Sequence, residues 1–412
     1  MTIKVAHVNY YENEGGAAIA VNRIIGAQKE NGIDTKLVVA NKKTNAADIV
    51  GPLTTLEEIK WKILTSINRK FEKFEKKKKY DSNSYNLIPN NFVNKINSLD
   101  IDIVNLHWIG NNLIPIKDIK KIKKPIVWTL HDMWPYAGSE HYTMHDRIFK
   151  GYSKSNKPET NKGFDFEKYC WNLKKKHYPK KMKIIATSDW QFRTAKKSLL
   201  FKDYEIEKIL YPLDFNFWKP INKIDSRKIL NLPKDKKIIL IGAERLDSYR
   251  KGFHLLYEII NGIESKDILL IFFGKLSNKS IFNFDNIKTL FFSNLAANSI
   301  DLKILYSAAD LFVAPSIQES FGITVQEAAS CCLPTVCFKN NGIADTVKHH
   351  VNGYIANDAD TKDFSRGIDW CLNKITNETM EKNLDILKKI FSYSTISEKY
   401  KSLYEKLIYE KN

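Results

Sequence analysis

The sequence is poor in cysteine and contains no long apolar segment. Five cysteines occur among 412 residues and none forms a CxxC pair. Neither a zinc site nor a disulfide framework is therefore expected, and the thiols are predicted to be buried. No apolar run approaches the roughly 18 residues that a membrane-spanning helix needs. The N-terminus enters a strand pattern without the features of a signal peptide, which favours a cytoplasmic protein.

Signatures of several functional classes are absent as well. RRM, KH and zinc-finger signatures do not occur, so nucleic acid is not expected as a partner. GxSxG and Walker loops are also missing. His141 and His145 have i, i+4 spacing but lack the adjacent glutamate and third ligand of a metal site, and no metal or other cofactor is expected. The Asp-x-Asp sequences at residues 100–102 and 358–360 are interpreted as structural.

Positive charge is abundant. The formal net charge is +18, from 65 Lys and Arg against 47 Asp and Glu. Such a charge favours anionic partners, whereas the alternative is an ordinary solvated basic surface.

Short apolar runs alternate with helical periods along the chain, a pattern typical of α/β folds with parallel sheets. The series of strand, loop and helix runs twice, beginning at residues 4–9 and again at 238–242. We predict an N-terminal Rossmann-like domain at 1–206, a second Rossmann-like domain at 207–392 and a terminal amphipathic helix at 393–412.

Residues 61–74 form a distinctive amphipathic pattern. Trp61, Leu64, Ile67, Phe71 and Phe74 recur at helical spacing, and the basic residues Lys60, Lys62, Arg69, Lys70 and Lys73 lie beside or between them. A basic helix with aromatic anchors suits an anionic membrane surface. Periodicity alone favours equally a helix whose apolar face covers the core.

Two segments of the second domain carry candidate anion-binding residues. Gly242 ends a predicted strand, and Arg245 and Lys251 follow in the loop, where ligands of α/β sheets bind. The second segment contains Glu319-Ser320, then Phe321-Gly322-Ile323 at a predicted helix start, and Glu327 one turn inside that helix. Backbone N–H groups at a helix start can bind phosphate, although Glu319 alone could simply favour the helix N-terminus.

The first domain offers two weaker signals. Gly15-Gly16 precedes the first helix and permits the close approach of a phosphate or sugar, or forms a simple turn. His131 ends a predicted strand, so it is either a sugar-binding side chain or a satisfied core histidine.

Taken together, these motifs resemble the retaining glycosyltransferases of glycosyltransferase family 4, which have the GT-B fold. The most specific match is Pro-Ser-x-x-Glu-x-Phe-Gly-x-x-x-x-Glu at residues 315–327, joined by Arg245 with Lys251-Gly252 and by Gly15-Gly16. Thr-Leu-His-Asp-Met-Trp-Pro at residues 129–135 resembles a branch that builds bacterial surface polysaccharides. Residues 138–141 read Gly-Ser-Glu-His where that branch commonly has Gly-Gly-Cys-His.

The resemblance implies two domains that face each other across a cleft, with the last helix crossing back to the first. It implies hexose transfer from a nucleotide-diphosphate sugar to a glycan or lipid-linked acceptor, with retention and without a metal, at the inner face of the plasma membrane. Arg245 and Lys251 would neutralise the diphosphate, Glu319 and His131 would line the sugar site, and Glu327 would bind ribose. A nucleotide-sugar epimerase of the same fold and a non-catalytic peripheral membrane protein remain the alternatives.

Overall fold

The computed structural model describes residues 2–75, 82–275, 284, 287–293 and 295–410. Two compact units make up the chain: unit 1 comprises residues 1–212 and 393–412, and unit 2 comprises residues 213–392. In chain order, the strands of the described residues are β1 Lys4–Val8, β2 Asp34–Val38, β3 Ile49–Val50, β4 Ile103–Leu106, β5 Ile126–Thr129, β6 Met182–Ala186, β7 Ile206–Lys208, β8 Lys237–Arg245, β9 Ile268–Lys275, β10 Lys288–Phe292, β11 Leu311–Ala314, β12 Thr335–Phe338 and β13 Gly353–Ala356.

The α-helices of the same described residues surround these strands. They are α1 Gly15–Glu30, α2 Thr55–Glu75, α3 Phe92–Asn97, α4 Arg147–Lys150, α5 Phe166–His177, α6 Asp189–Lys197, α7 Lys223–Ile229, α8 Leu256–Asn261, α9 Ile300–Ala308, α10 Ile323–Ser330, α11 Thr361–Lys374, α12 Asn377–Phe391 and α13 Tyr393–Tyr409.

Each unit contains one parallel sheet. The order is β3-β2-β1-β4-β5-β6-β7 in unit 1 and β10-β9-β8-β11-β12-β13 in unit 2. The apolar runs in β8 and β9 are buried almost throughout, as expected for strands covered on both faces. The predicted pair of Rossmann-like sheets is confirmed.

The strand order reverses at one point in each sheet, and there the loops diverge and leave room for a ligand. In unit 1 this point lies between β1 and β4, and in unit 2 it lies between β8 and β11. The loops after β8 and β11 contain Lys251, Glu319, Ser320, Phe321 and Gly322, and Gly15-Gly16 begin the helix that follows β1.

Helix α13 packs against α1, so the predicted return of the terminal helix to the first domain is confirmed. Gly26 of α1 allows the close contact, because a Cβ there would lie 3.3 Å from the ring of Tyr393. Four of the five cysteines are buried as predicted, and Cys332 is partly exposed.

Helix α2 has two apolar faces rather than one. Trp61 and Leu64 are buried in the core of unit 1, and Phe71 packs against that core. Trp61 is therefore not the exposed aromatic anchor that the sequence pattern allowed. Ile67 and Phe74 are instead exposed, together with further residues of α2 that the pattern did not single out.

Candidate active site

The loop after β8 in unit 2 is joined to the loop after β11 through the backbone. The carbonyl of Arg250 accepts hydrogen bonds from the N–H groups of Ile317 at 2.8 Å and Gln318 at 3.2 Å. Gly252 has a φ of 70°, and a Cβ there would lie 1.8 Å from the carbonyl oxygen of Pro315. Only glycine permits this approach of the two loops.

Three charged side chains meet where these loops join, and we call Arg250, Lys251 and Glu319 the charge cluster. Nζ of Lys251 pairs with Oε2 of Glu319, and Nη1 of Arg250 lies 3.1 Å from the same oxygen. Two cations therefore share one carboxylate oxygen, and the cluster carries one net positive charge.

The electrostatics of the cluster keep the carboxylate ionised. Burial raises the pKa of Glu319, but the adjacent charges of Lys251 and Arg250 lower it by a larger amount. The net result is a pKa of about 2. An ionised Glu319 holds both cations in place before any ligand arrives.

Helix α10 begins directly after Glu319. Gly322 is its N-cap residue, with a φ of 88°, and Ile323 is the first residue of the helix. A helix start has backbone N–H groups without intrahelical acceptors, which makes it suitable for an anion. Ser320 and Phe321, which precede the cap, are buried.

The turn after β12 supports this segment. The N–H of Gly342 donates to the carbonyl of Glu319 at 2.8 Å, and a Cβ at Gly342 would lie 2.0 Å from the carbonyl oxygen of Ser320. Nδ2 of Asn341 donates to the carbonyl of Ser316 at 3.0 Å. The Asn-Gly pair thus holds the Glu319 loop from its other side.

Three other candidates of unit 2 lie in different surroundings. The sequence placed Arg245 in a loop after a strand ending at Gly242, but β8 continues to Arg245, which is exposed and pairs with Asp247 at 3.1 Å. Glu327 is buried and accepts a hydrogen bond from the hydroxyl of Tyr306 at 3.2 Å. Gly242 is buried against Phe273, since a Cβ there would lie 2.1 Å from its ring. Of the candidates in unit 2, Lys251 and Glu319 are therefore in direct contact, whereas Arg245, Glu327 and Gly242 have other neighbours.

Sequence reasoning did not single out Arg250, Tyr306 or Asn341-Gly342. Arg250 precedes Lys251 and could have been found as a second cation of the same loop. Asn-Gly after the strand β12 was a turn signal that could have been considered. Tyr306 had no signal, because its contact with Glu327 depends on the packing of α9 against α10.

In unit 1, Gly15 and Gly16 begin helix α1 after the loop that follows β1. Gly15 has a φ of 84°, which favours glycine. A Cβ at Gly16 would meet no atom within 4 Å, so open space adjoins this position. The pair therefore leaves room at the carboxyl edge of the sheet.

His131 is partly exposed just beyond β5 and has both ring nitrogens in contact with neighbours. Nδ1 lies 2.5 Å from the hydroxyl of Tyr211, and Nε2 lies 2.9 Å from Nδ1 of His107. Burial lowers the pKa of His131 to about 4, so the ring is neutral near pH 7. Tyr211 and His107 were not predicted as neighbours of this residue.

His141 belongs to a second polar group beside this edge. Its Nδ1 lies 2.5 Å from Oδ2 of Asp132, and its Nε2 lies 2.8 Å from the hydroxyl of Ser84. A pocket beside this group is lined by His107, Trp108, Ile109, Gly110, His131, Asp132, Trp134, Pro135 and His141. His141 thus lies in the wall of a pocket that it shares with His131.

The Asp-x-Asp sequences have structural contacts, as interpreted. Asp102 accepts a hydrogen bond from the N–H of Lys4 at 2.9 Å, and Asp360 caps helix α11 by accepting from Asp363. Within the part of the chain that the structure describes, no group of three or more His, Cys, Asp or Glu side chains converges on a metal site. No helix of these residues is long and apolar enough to span a bilayer.

The part of the chain that contains the charge cluster is similar to known proteins. Residues 222–385 match the family model described as Glycosyl transferases group 1. The glycogen synthase of Clostridium perfringens is 24% identical over 53% of this chain and 46% of its own length. The N,N'-diacetylbacillosaminyl-diphospho-undecaprenol alpha-1,3-N-acetylgalactosaminyltransferase of Campylobacter jejuni is 28% identical over 47% of this chain and 48% of its own length.

Solved structures are similar over nearly the whole chain. The sucrose-phosphate synthase of Thermosynechococcus elongatus has a TM-score of 0.69 at 16% identity, covering 99% of this chain and 100% of that one. HepE of Anabaena, solved with UDP and glucose, has a TM-score of 0.63 at 16% identity, covering 98% and 100%. These similarities confirm the predicted GT-B fold.

The curated relatives are longer than the region they share with this chain. The chain spans about half the length of the curated relatives it matches. They include glycogen synthases as well as an enzyme acting on a lipid-linked glycan, so they do not select the surface-polysaccharide branch.

Proposed function

We propose that this chain, whose residues 222–385 form a glycosyl transferases group 1 domain, is a retaining glycosyltransferase. It would move a hexose from a nucleotide-diphosphate sugar to a glycan or lipid-linked acceptor in bacterial surface polysaccharide synthesis. The family match supports the reaction class, and the relative that acts on an undecaprenol-linked glycan supports the acceptor class.

The observation that carries this proposal is the charge cluster at the carboxyl ends of β8 and β11. Sugar transfer leaves a diphosphate whose negative charge grows as the bond to the anomeric carbon breaks. Lys251 and Arg250 are fixed cations beside the start of α10, and both kinds of group stabilise such charge. Because Glu319 already holds the cations, little reorganisation is needed during the reaction.

We assign the remaining roles by position. Arg245, the last residue of β8, would fork onto phosphate oxygens, and the segment of Ser320, Phe321, Gly322 and Ile323 would face the diphosphate. Glu319 would also hold sugar hydroxyls as positive charge develops on the sugar.

Positions elsewhere complete the assignment. Gly242 lies inside β8 near its carboxyl end and would let the backbone come close to the donor, and Glu327 would contact ribose from α10. In unit 1, Gly15 and Gly16 would leave room for substrate beside His131. No catalytic metal or cofactor is required by this scheme.

UDP-glucose is the first donor to test, because HepE was solved with it. Lys251→Ala and Glu319→Ala should each lower kcat/KM by about 10²- to 10³-fold, the effect of removing one group that stabilises transition-state charge. Lys382→Ala removes an exposed pair on α12 and is the control. Wild-type turnover by either cluster variant, or isomerisation of donor incubated alone, would refute the assignment.

Membrane association is the second part of the proposal. Leu56, Ile59, Ile63 and Ile67 form an apolar stripe along one side of α2, and Phe74 follows on the same side beyond Lys70. These five apolar side chains are between 37% and 78% exposed. The exposed lysines of the same helix are Lys60, Lys62, Lys70 and Lys73. An apolar stripe with nearby cations fits the surface of an anionic bilayer, where a lipid-linked acceptor would lie.

Vesicle flotation tests this association. The wild type should float with phosphatidylglycerol vesicles and remain unbound to phosphatidylcholine vesicles. The double variant Ile63→Glu/Ile67→Glu should lose flotation, because it places two acidic charges on the stripe. Ile229→Glu, at an isoleucine of α7 that is 60% exposed, is the control and should float normally. Undiminished flotation of the double variant would contradict this part of the proposal.

A further inference from the structure

Three histidines form a hydrogen-bonded row through unit 1, and we call His7, His107 and His131 the histidine relay. Nε2 of His131 lies 2.9 Å from Nδ1 of His107, and Nε2 of His107 lies 2.9 Å from Nδ1 of His7. Nε2 of His7 lies 2.9 Å from Oε1 of Gln28. The relay therefore connects α1 with the pocket beside His131.

The amide of Gln28 is oriented from the far side. Its Nε2 donates to the hydroxyl of Tyr404 on α13 at 3.1 Å, and Nδ2 of Asn105 donates to the same hydroxyl at 3.0 Å. Oδ1 of Asn105 accepts in turn from the hydroxyl of Thr129 at 3.0 Å. With its nitrogen engaged by Tyr404, Gln28 presents its oxygen to His7.

This orientation determines the proton positions along the whole relay. A neutral imidazole has one N–H and one acceptor nitrogen. Nε2 of His7 must donate to Gln28, so its Nδ1 accepts from Nε2–H of His107. Nδ1 of His107 then accepts from Nε2–H of His131.

The last nitrogen of the relay is thereby an acceptor. Nδ1 of His131 has no proton and accepts from the hydroxyl of Tyr211 at 2.5 Å. Burial keeps the rings neutral, lowering the pKa of His7 to about 4 and that of His107 well below its usual value.

We propose that Gln28 and Tyr404 are positioning residues that fix His131 in its Nε2–H tautomer, so that an Nδ1 lone pair is offered at the edge of the sheet. A ligand hydroxyl that takes the place of the Tyr211 hydroxyl must then donate its proton to His131 and does not accept one. The assignment of that hydroxyl to a transferred or accepting sugar rests on the proposed function.

Imidazole 15N NMR of the full chain tests the tautomer directly. In the wild type, the Nδ1 resonance of His131 should be that of an unprotonated nitrogen and its Nε2 resonance that of a protonated one. Tyr404→Phe and Gln28→Met should both populate the opposite tautomer at His131. Tyr404→Phe removes the hydroxyl that orients the Gln28 amide, and Gln28→Met removes the amide itself. Tyr178→Phe, at a buried tyrosine of unit 1 that takes no part in these hydrogen bonds, should leave the resonances unchanged.

Activity supplies the second readout. Tyr404→Phe and Gln28→Met should each lower kcat with UDP-glucose by about 10- to 100-fold, the range for lost orienting hydrogen bonds. A protonated Nδ1 in the wild type, or His131 resonances that Tyr404→Phe and Gln28→Met leave unchanged, would overturn the inference. If the tautomer pattern is found in a protein that transfers no sugar, the proposed function fails and the relay stands.

Discussion

Nη1 of Arg250 lies 3.1 Å from Oε2 of Glu319, the oxygen that also pairs with Lys251. The carbonyl of Arg250 meanwhile accepts from two N–H groups of the loop that carries Glu319. One residue thus holds the carboxylate through its side chain and the surrounding loop through its backbone.

Removing the Arg250 side chain should therefore affect activity more than stability. We expect Arg250→Gln to lower kcat/KM by about 10- to 100-fold, because one of two cations beside the diphosphate is lost while the backbone contacts remain. Arg366→Gln, at an exposed arginine of α11, is the matched control in steady-state assays. Equal activity of the two variants would contradict the role of Arg250.

Gly252 provides a backbone test of the same loop junction. Gly252→Ala should destabilise the chain by about 1–3 kcal/mol and abolish transfer, because alanine is strained at this positive φ and its Cβ would overlap the Pro315 carbonyl. Thermal unfolding and kinetic assays on the same preparation measure both effects. An unchanged melting temperature with full activity would show that the loops are not held together in this way.

The sequence predicted the features that depend on local pattern. Apolar runs of strand length placed β1 and β8, and the motif at residues 315–327 placed Glu319 ahead of a helix, because strand burial and helix starts have compositional signals. Short edge strands such as β3 and β7 lack such a signal, because two or three residues give no usable periodicity.

Partners that lie far apart in the chain were not predictable. Arg250 meets Glu319, and His131 meets His107 and Tyr211, only because neighbouring strands place their loops at one edge of a sheet. Helical spacing indicated that Trp61 and Phe74 belong to one apolar face. It did not predict that Trp61 is buried in the core while Phe74 is exposed.

Lys174 is a buried lysine whose amino group stabilises the segment after His131. Its Nζ donates to the carbonyls of Trp134, Ala137 and Gly138, and it lies 3.8 Å from the centroid of the Trp134 ring. Lys174→Met should lower the free energy of unfolding by about 2–4 kcal/mol, since three buried carbonyls lose their donor. Thermal unfolding should show the loss.

Lys176→Met, two residues along α5 at an exposed position, is the control for that measurement. It should leave the melting temperature unchanged. A melting temperature for Lys174→Met equal to that of the control would mean that the carbonyls find other donors.

The histidine relay should make the protein sensitive to mild acid. Burial lowers the pKa of His7 to about 4, whereas an unfolded histidine titrates near 6.5. Between these values the unfolded chain binds a proton that the folded chain does not, so stability falls as the pH is lowered from about 6.5 to 4. The loss is up to about 1.4 kcal/mol per pH unit for each such histidine.

Glu319 acts in a different range, because its pKa is already lowered to about 2. Its contribution is complete above about pH 4.5 and is lost only as the pH falls towards 2. The difference in the free energy of unfolding between pH 7 and pH 5 therefore reports on the histidines and not on Glu319. His7→Gln should lose less stability than the wild type between these two values, since one proton-binding site of the unfolded chain is gone. Equal stability of the wild type at both pH values would mean that the relay already carries a proton in the folded protein.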